Sequence, residues 1–346
     1  MTFLCKAKPS DESLAYFQSS ANADSRARDF LFKAMPNGNL ELNTWKIYLT
    51  SLNRVRLKVT RQLRMIVHLV DGTYELFRHF YGIRRFKKTD PPYGAVTGLL
   101  RMAAKMIEDG ATHIGVATDH VIESFRNDLW PEYKTGAGIE PALRAQFHPL
   151  EEALDAMGVI VWPMIELEAD DALASAAYLA AKDERVEKVC IWTPDKDLAQ
   201  CVVGERVVQV DRRSGQIRDA DAVRAKYGVT PAFIPDYLAL VGDAADGYPG
   251  ISGLGPKTAA ALINRFGPIE DFPLDTLREG NLERALLFKQ LAILRTDAPL
   301  FADVEQLRWN GPTASFASVA EKIGDAGLAT RVQELQNNLL HTTSER

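Results

Sequence analysis

From residue 65 onward the chain alternates short apolar runs with longer amphipathic stretches. Met65–Val70 (MIVHLV), His113–Thr118 (HIGVAT), Val159–Pro163 (VIVWP), Val189–Thr193 (VCIWT) and Arg206–Val210 (RVVQV) read as buried strands. Ala95–Asp109, stopped by Gly110, and Asp170–Lys182 carry apolar residues three and four apart and read as helices. Apolar strands separated by helical segments predict a parallel sheet covered on both faces. From Pro231 the pattern holds helices alone: Phe233–Val241, Lys257–Arg265, Leu282–Leu294 and Val319–Leu339. The change falls near Tyr227-Gly228. The expectation is an α/β domain over 65–226 followed by a smaller all-α domain over 227–340. Upstream, Ser10 to Asn43 shows little periodicity and carries the turn signal Pro36-Asn37-Gly38-Asn39, and Trp45–Met65 is basic with room for one helix or strand.

Charge divides the chain at the same place. Residues 1–64 carry 11 Lys/Arg and 5 Asp/Glu, the remainder 30 and 41, and the total is −5. A loosely ordered extension is expected for 1–64; a basic arm for nucleic acid and a gene model begun too early, at a start upstream of Met65, are the alternatives. Hydrophobic (46%) and charged (25%) fractions are those of globular proteins, which excludes a wholly disordered chain. Nowhere do about 18 apolar residues follow one another, so no membrane partner is expected, and the N-terminus lacks a secretory apolar run. Cys5, Cys190 and Cys201 form no CxxC, which supports neither a disulfide framework nor a thiolate zinc site and makes the cytoplasm the expected location. The acidic total argues against nucleic acid as a partner. Its distribution reverses that.

The acids gather where ligands bind in open parallel sheets, beyond the carboxyl ends of the strands. Asp71, Asp119, Asp195 and Asp197 follow apolar runs, Glu168, Asp170 and Asp171 open a helix, and Asp243 and Asp246 sit in GDAADGYPG. Capping and turn preferences explain one or two of these, since a first-turn acid is worth only about 0.3–1 kcal/mol. Nine carboxylates in one cleft would repel and several would take up protons unless cations offset them. An all-oxygen ligand set suits Mg²⁺, with Mn²⁺ as the alternative, and two such ions about 4 Å apart serve phosphoryl transfer.

Two segments would meet phosphates. In Ser124–Lys134 (SFRNDLWPEYK), Arg126 and Lys134 are candidates to contact the scissile group, and Phe125, Trp130 and Tyr133 offer stacking faces for unpaired bases. The competing reading is a solvated helix whose aromatics pack on the sheet. In Gly250–Thr258 (GISGLGPKT), Gly253 and Gly255 let backbone amides approach an anion, Pro256 fits a first helical position and Lys257 adds charge.

These segments together, HLVDG (68–72), ATDH and SFRNDLWPEYK (117–134), ELEADDALAS (166–175), TPDKDLAQ (193–200), LVGDAADGYPGISGLGPKTA (240–259) and LRTDAPL (294–300), resemble the 5′ nuclease (flap endonuclease-like) family. Its members include the N-terminal domain of bacterial DNA polymerase I and free-standing forms. The resemblance implies a PIN-like, Rossmann-like domain with a helical arch at about 123–147, then a helix–hairpin–helix DNA-binding domain. It implies that Asp71, Asp119, Glu168 and Asp170 hold one metal ion and that Asp195, Asp197 and Asp246 hold a second, with Asp171 and Asp243 adjacent. Arg126 and Lys134 would be catalytic at the arch base, and Phe125 and Tyr133 would bind DNA there. Gly253, Gly255, Lys257 and Thr258 would hold the duplex backbone, with a monovalent cation such as K⁺ at the hairpin. Partners would be DNA with 5′ flaps, nicks or junctions, and a separate DNA polymerase. Ala137 replaces an arch arginine, which implies a weaker grip. Gly247 and Ala245 replace Asn and Ser of the family, which implies a looser Asp246. A PIN-like ribonuclease and a non-catalytic junction-binding protein are the alternatives.

Overall fold

The computed structural model describes residues 65–87, 91–278 and 280–344, and the expectations made for 1–64 lie outside them. The α/β part runs β1 (Met65–Asp71), α1 (Gly72–Lys87), α2 (Gly94–Glu108), β2 (His113–Asp119), α3 (Arg126–Leu129), α4 (Pro141–Arg144), α5 (Phe147–Ala156), β3 (Ile160–Met164), α6 (Ala169–Lys182), β4 (Val186–Trp192), β5 (Val207–Asp211) and β6 (Gln216–Arg218). The strands lie in the order β3-β2-β1-β4-β5-β6, all parallel except β6, which pairs antiparallel with β5. β1 is central, and its Val67, Leu69 and Val70 are fully buried. An apolar run with no polar alternation is what a strand covered on both sides requires.

One face of the sheet is covered by α2 and α5, whose Leu99, Leu100, Ala103, Leu150 and Leu154 pack on Ile114 and Val116. The other is covered by α6, whose alanines let the helix lie close on Val67, Leu69, Val189 and Ile191. α1 was not expected from the pattern: of its apolar side chains only Leu76 and Phe80 are fully buried, which leaves too thin a stripe to read.

The helical part comprises α7 (Ala220–Tyr227), α8 (Ile234–Val241), α9 (Pro256–Phe266) and α10 (Asn281–Ala292) around a core that includes Val223, Ile234, Leu238, Ile263 and Phe288. That core ends at Ala292. Beyond it the expectation of helices alone fails, and the chain returns in extended form to the sheet. Leu294, Val304 and Leu307 join the core under α6, and Trp309, Phe316, Ile323, Leu328 and Val332 join the opposite one. The predicted last helix is two, α11 (Phe316–Lys322) and α12 (Ala326–Ser344), broken where Gly324 turns with φ 80°.

Candidate metal centre

The chain leaves β1 towards β2 and β3 and re-enters on its other side at β4, so a crevice opens at the carboxyl ends of these strands. Asp71 ends β1 and Asp119 ends β2. Asp195 follows β4, and Asp197 opens a 3₁₀ turn ending at Cys201. Glu168 caps α6, whose first turn holds Asp170 and Asp171. Asp243 and Asp246 lie in the loop after α8, which closes on itself through two backbone bonds between Asp243 and Tyr248 of 2.8 and 3.0 Å.

Eight of the nine acids act on one another. Oxygens of Asp197, Asp243 and Asp246 lie within 4.8 Å of each other. Burial raises the Asp71 carboxyl to about 7, with the charges of Asp119 and Asp195 adding to it. Burial and then Asp195 raise both Asp170 and Asp197. Burial also raises Asp119 and Asp246, in each case opposed by Lys134. Glu168 differs: burial pushes it up, but Lys134 and Arg126 outweigh that and hold it below its usual range. The orientation of these groups comes from local bonds. Asp71 accepts from the Tyr74 amide at 2.8 Å and the Thr193 hydroxyl at 3.0 Å, and Asp119 from the Ala169 amide at 2.8 Å.

Asp171, the ninth, is not in the cluster. It lies fully buried against Arg126, which donates two parallel bonds of 2.8 Å to its two oxygens. The same guanidinium donates to the carbonyls of Leu291 at 2.8 Å and Ile293 at 3.0 Å. This corrects two expectations: Asp171 is committed to an ion pair, and Arg126 has no surface left for a phosphate. Tyr133 is also no stacking face, being 3% exposed with its hydroxyl donating to Glu168 at 3.3 Å. Trp130 packs edge-on against Phe288, and the Arg126 guanidinium lies 4.6 Å from the Phe125 ring centre. Trp130 and Tyr133 therefore pack into the helical core, not on the sheet.

Lys134 does reach the cleft. Its ammonium lies 2.7 Å from Glu168 and 3.8 Å from Asp246, and those charges with Asp119 raise it despite burial. Lys196, which sequence reasoning passed over, pairs with Asp243. The signal was present, since it stands between Asp195 and Asp197. The arch segment is helical only in the single turns α3 and α4, because Pro131, Gly136 and Gly138 interrupt it. Ala137 is exposed there. Gly247, at φ 83°, packs so closely that a Cβ would lie 2.1 Å from the Glu132 carbonyl oxygen. In the hairpin, Gly253, Gly255, Lys257 and Thr258 are all exposed, and the two glycines face open space.

The donor set suits a hard cation. The acids are offset by two ammonium groups, Lys134 and Lys196, and Asp197 Oδ1 is buried without a hydrogen-bond partner. Oxygen-only ligands with a surplus of negative charge fit a divalent ion.

Residues 66–228 match the 5′-3′ exonuclease N-terminal resolvase-like domain, and residues 229–315 match the 5′-3′ exonuclease C-terminal SAM fold. The chain belongs to the 5′-3′ exonuclease family. It is thereby classed with nucleases. It is 34% identical over 294 residues to a 5′-3′ exonuclease of Aquifex aeolicus, covering 81% of this chain and 98% of that one. To DNA polymerase I of Pseudomonas aeruginosa it is 34% identical over 259 residues, 69% of this chain but only 28% of that protein, so it spans about a quarter of the polymerase. The bacteriophage T5 flap endonuclease, solved with DNA and metal ions, shares the fold at TM-score 0.52 and 18% identity, over 79% of this chain and 98% of its own. Among the described residues no helix is long and apolar enough to cross a membrane.

Proposed function

We propose that this protein is a Mg²⁺-dependent, structure-specific 5′-3′ nuclease that hydrolyses DNA phosphodiesters near single-strand/double-strand junctions. The observation that carries the reading is the convergence of eight carboxylates on one sheet edge with two ammonium groups among them. Asp71, Asp119, Glu168 and Asp170 would hold one ion, and Asp195, Asp197, Asp243 and Asp246 the other. When bound, two such ions would supply a water of lowered pKa and neutralise charge in an in-line displacement.

The chain's own residues do the rest. Glu168 is kept ionised by Lys134 and by Ser124, which donates at 2.6 Å. Lys134, between Glu168 and Asp246, would stabilise the added negative charge on a phosphate held there. The exposed hairpin amides and Lys257 would grip the duplex backbone, with a monovalent cation such as K⁺ at that loop. Work in replication or repair beside a separate polymerase, in the cytoplasm, is the setting this activity fits.

Cleavage of blunt, nicked and 5′-flapped DNA in Mg²⁺ is the test. The expected result is a preference for flapped and nicked substrates, abolished by excess chelator and by Asp119→Ala or Asp195→Ala. Wild-type rates in chelator or in either variant would overturn the reading.

A further inference from the structure

The arch base and the loop carrying Asp246 are stitched together by main-chain contacts that charge alone does not require. The Lys134 amide donates to the Asp246 carbonyl at 3.0 Å, and the Trp130 indole N–H donates to the Gly247 carbonyl at 3.1 Å. Glu132 lies between them in sequence, and its carbonyl is the group that leaves no room for a side chain at Gly247. From the arch side, the Asn127 amide holds the carbonyls of Tyr133 and Lys134 at 3.3 and 3.2 Å. From the other side, Phe288 of α10 lies 5.4 Å from both the Trp130 and the Tyr248 ring centres, so one aromatic supports both segments.

Two functional groups ride on this joint. Lys134 is the last residue of the arch-base segment, and Asp246 immediately precedes Gly247. Their side chains meet 3.8 Å apart, although they come from segments more than a hundred residues apart in sequence. The bond from Trp130 fixes the carbonyl next to Asp246 without touching the cleft, while its ring is anchored in the helical core.

We infer that Trp130 is a positioning residue which, through Gly247, couples the arch base to the divalent-cation affinity of the Asp197, Asp243 and Asp246 group. The inference rests on the nuclease reading above. Coupling of this kind is reciprocal, so whatever settles the arch base also tightens the ion site, and the ion settles the arch base.

Phenylalanine at 130 keeps a ring on Phe288 and removes only the donor. Ca²⁺ alone, titrated calorimetrically into the DNA-free protein, should bind about 3- to 10-fold more weakly to Trp130→Phe, the worth of one neutral hydrogen bond. The Mg²⁺ concentration giving half-maximal flap cleavage should rise by the same factor, with kcat restored at saturating Mg²⁺. Melting in chelator should move by less than about 1 °C, well short of the roughly 2–4 °C that an equivalent loss from the fold itself would give. Gly247→Ala, which forces the segments apart, should weaken Ca²⁺ more than Trp130→Phe does.

Unchanged Ca²⁺ affinity in Trp130→Phe overturns the coupling. So does a loss of affinity matched by an equivalent loss of melting temperature, which would assign Trp130 to the fold alone. Failure of the wild type to bind Ca²⁺ or cut flapped DNA would instead count against the nuclease reading.

Discussion

Arg126 illustrates how one residue's surroundings decide its role. Its guanidinium donates four bonds, two to Asp171 and one each to the carbonyls of Leu291 and Ile293, and lies 3.2 Å from Glu168, so it ties the arch base, the start of α6 and the end of α10 together. Asp171 in turn accepts from the Arg295 amide at 2.8 Å and from the Glu168 amide at 3.0 Å, which completes the cap of α6. Arg126→Ala would leave that carboxylate buried and unpaired, a loss of about 3–5 kcal/mol, read as a lower urea midpoint. Replacing both partners with apolar residues of similar volume should cost much less, which the double variant checks. Asp197 behaves oppositely. Its charge is opposed by Asp195, Asp246 and Asp243, and Oδ1 has no partner, so Asp197→Asn should raise the melting temperature in chelator by a few degrees, from roughly 1–2 kcal/mol. The same variant should lose the stabilisation that added Mg²⁺ gives the wild type. Spacing named Arg126 and Asp171 as site residues because motif position carries no record of burial.

Most of the elements that hold the acids were legible. β1, β2 and β4 announce themselves as apolar runs ending near aspartates, because a strand covered on both faces has no polar alternation until it reaches the edge. α1 and the extended return from Leu294 were not, since each is held by a few contacts to distant segments rather than by its own stripe. The convergence of element ends has a pH consequence. Asp71 has a folded pKa near 7 against an ordinary value of 3.8, and Asp119, Asp170, Asp197 and Asp246 shift in the same direction. Between about pH 4 and 7 these five carboxylates therefore bind more protons folded than unfolded, while His68, His79 and His113, lowered by burial, bind fewer. The stabilisation is complete below about pH 4 and is lost as pH rises through about 7. In chelator the carboxylates should pull the melting temperature down across that window relative to a variant with Asp71 and Asp197 replaced by Asn, which keeps the opposing histidines. In Mg²⁺ the fall should be reduced or reversed, because the ion favours the deprotonated set. An equal slope in both conditions would show that these carboxylates do not bind the ion.

For the whole molecule, a net charge of −5 is compatible with the proposed DNA substrate because much of the negative charge is drawn into one cleft. DNA affinity should fall steeply with salt, and Lys257→Ala should weaken binding to all sequences alike and reduce the salt slope by about 1. A binding isotherm series at several salt concentrations measures both. The sequence by itself determined the strands, the run of strand-end acids and the glycine-rich segment before α9, because each depends on residues close together along the chain. Only the tertiary structure decided which acids share a cleft, that Asp171 leaves it for Arg126, and that Trp130 and Lys134 dock on the Asp246 loop. Those outcomes depend on burial and on partners far apart in sequence. At such places desolvation decides whether a charge is offered to a ligand or consumed inside the fold.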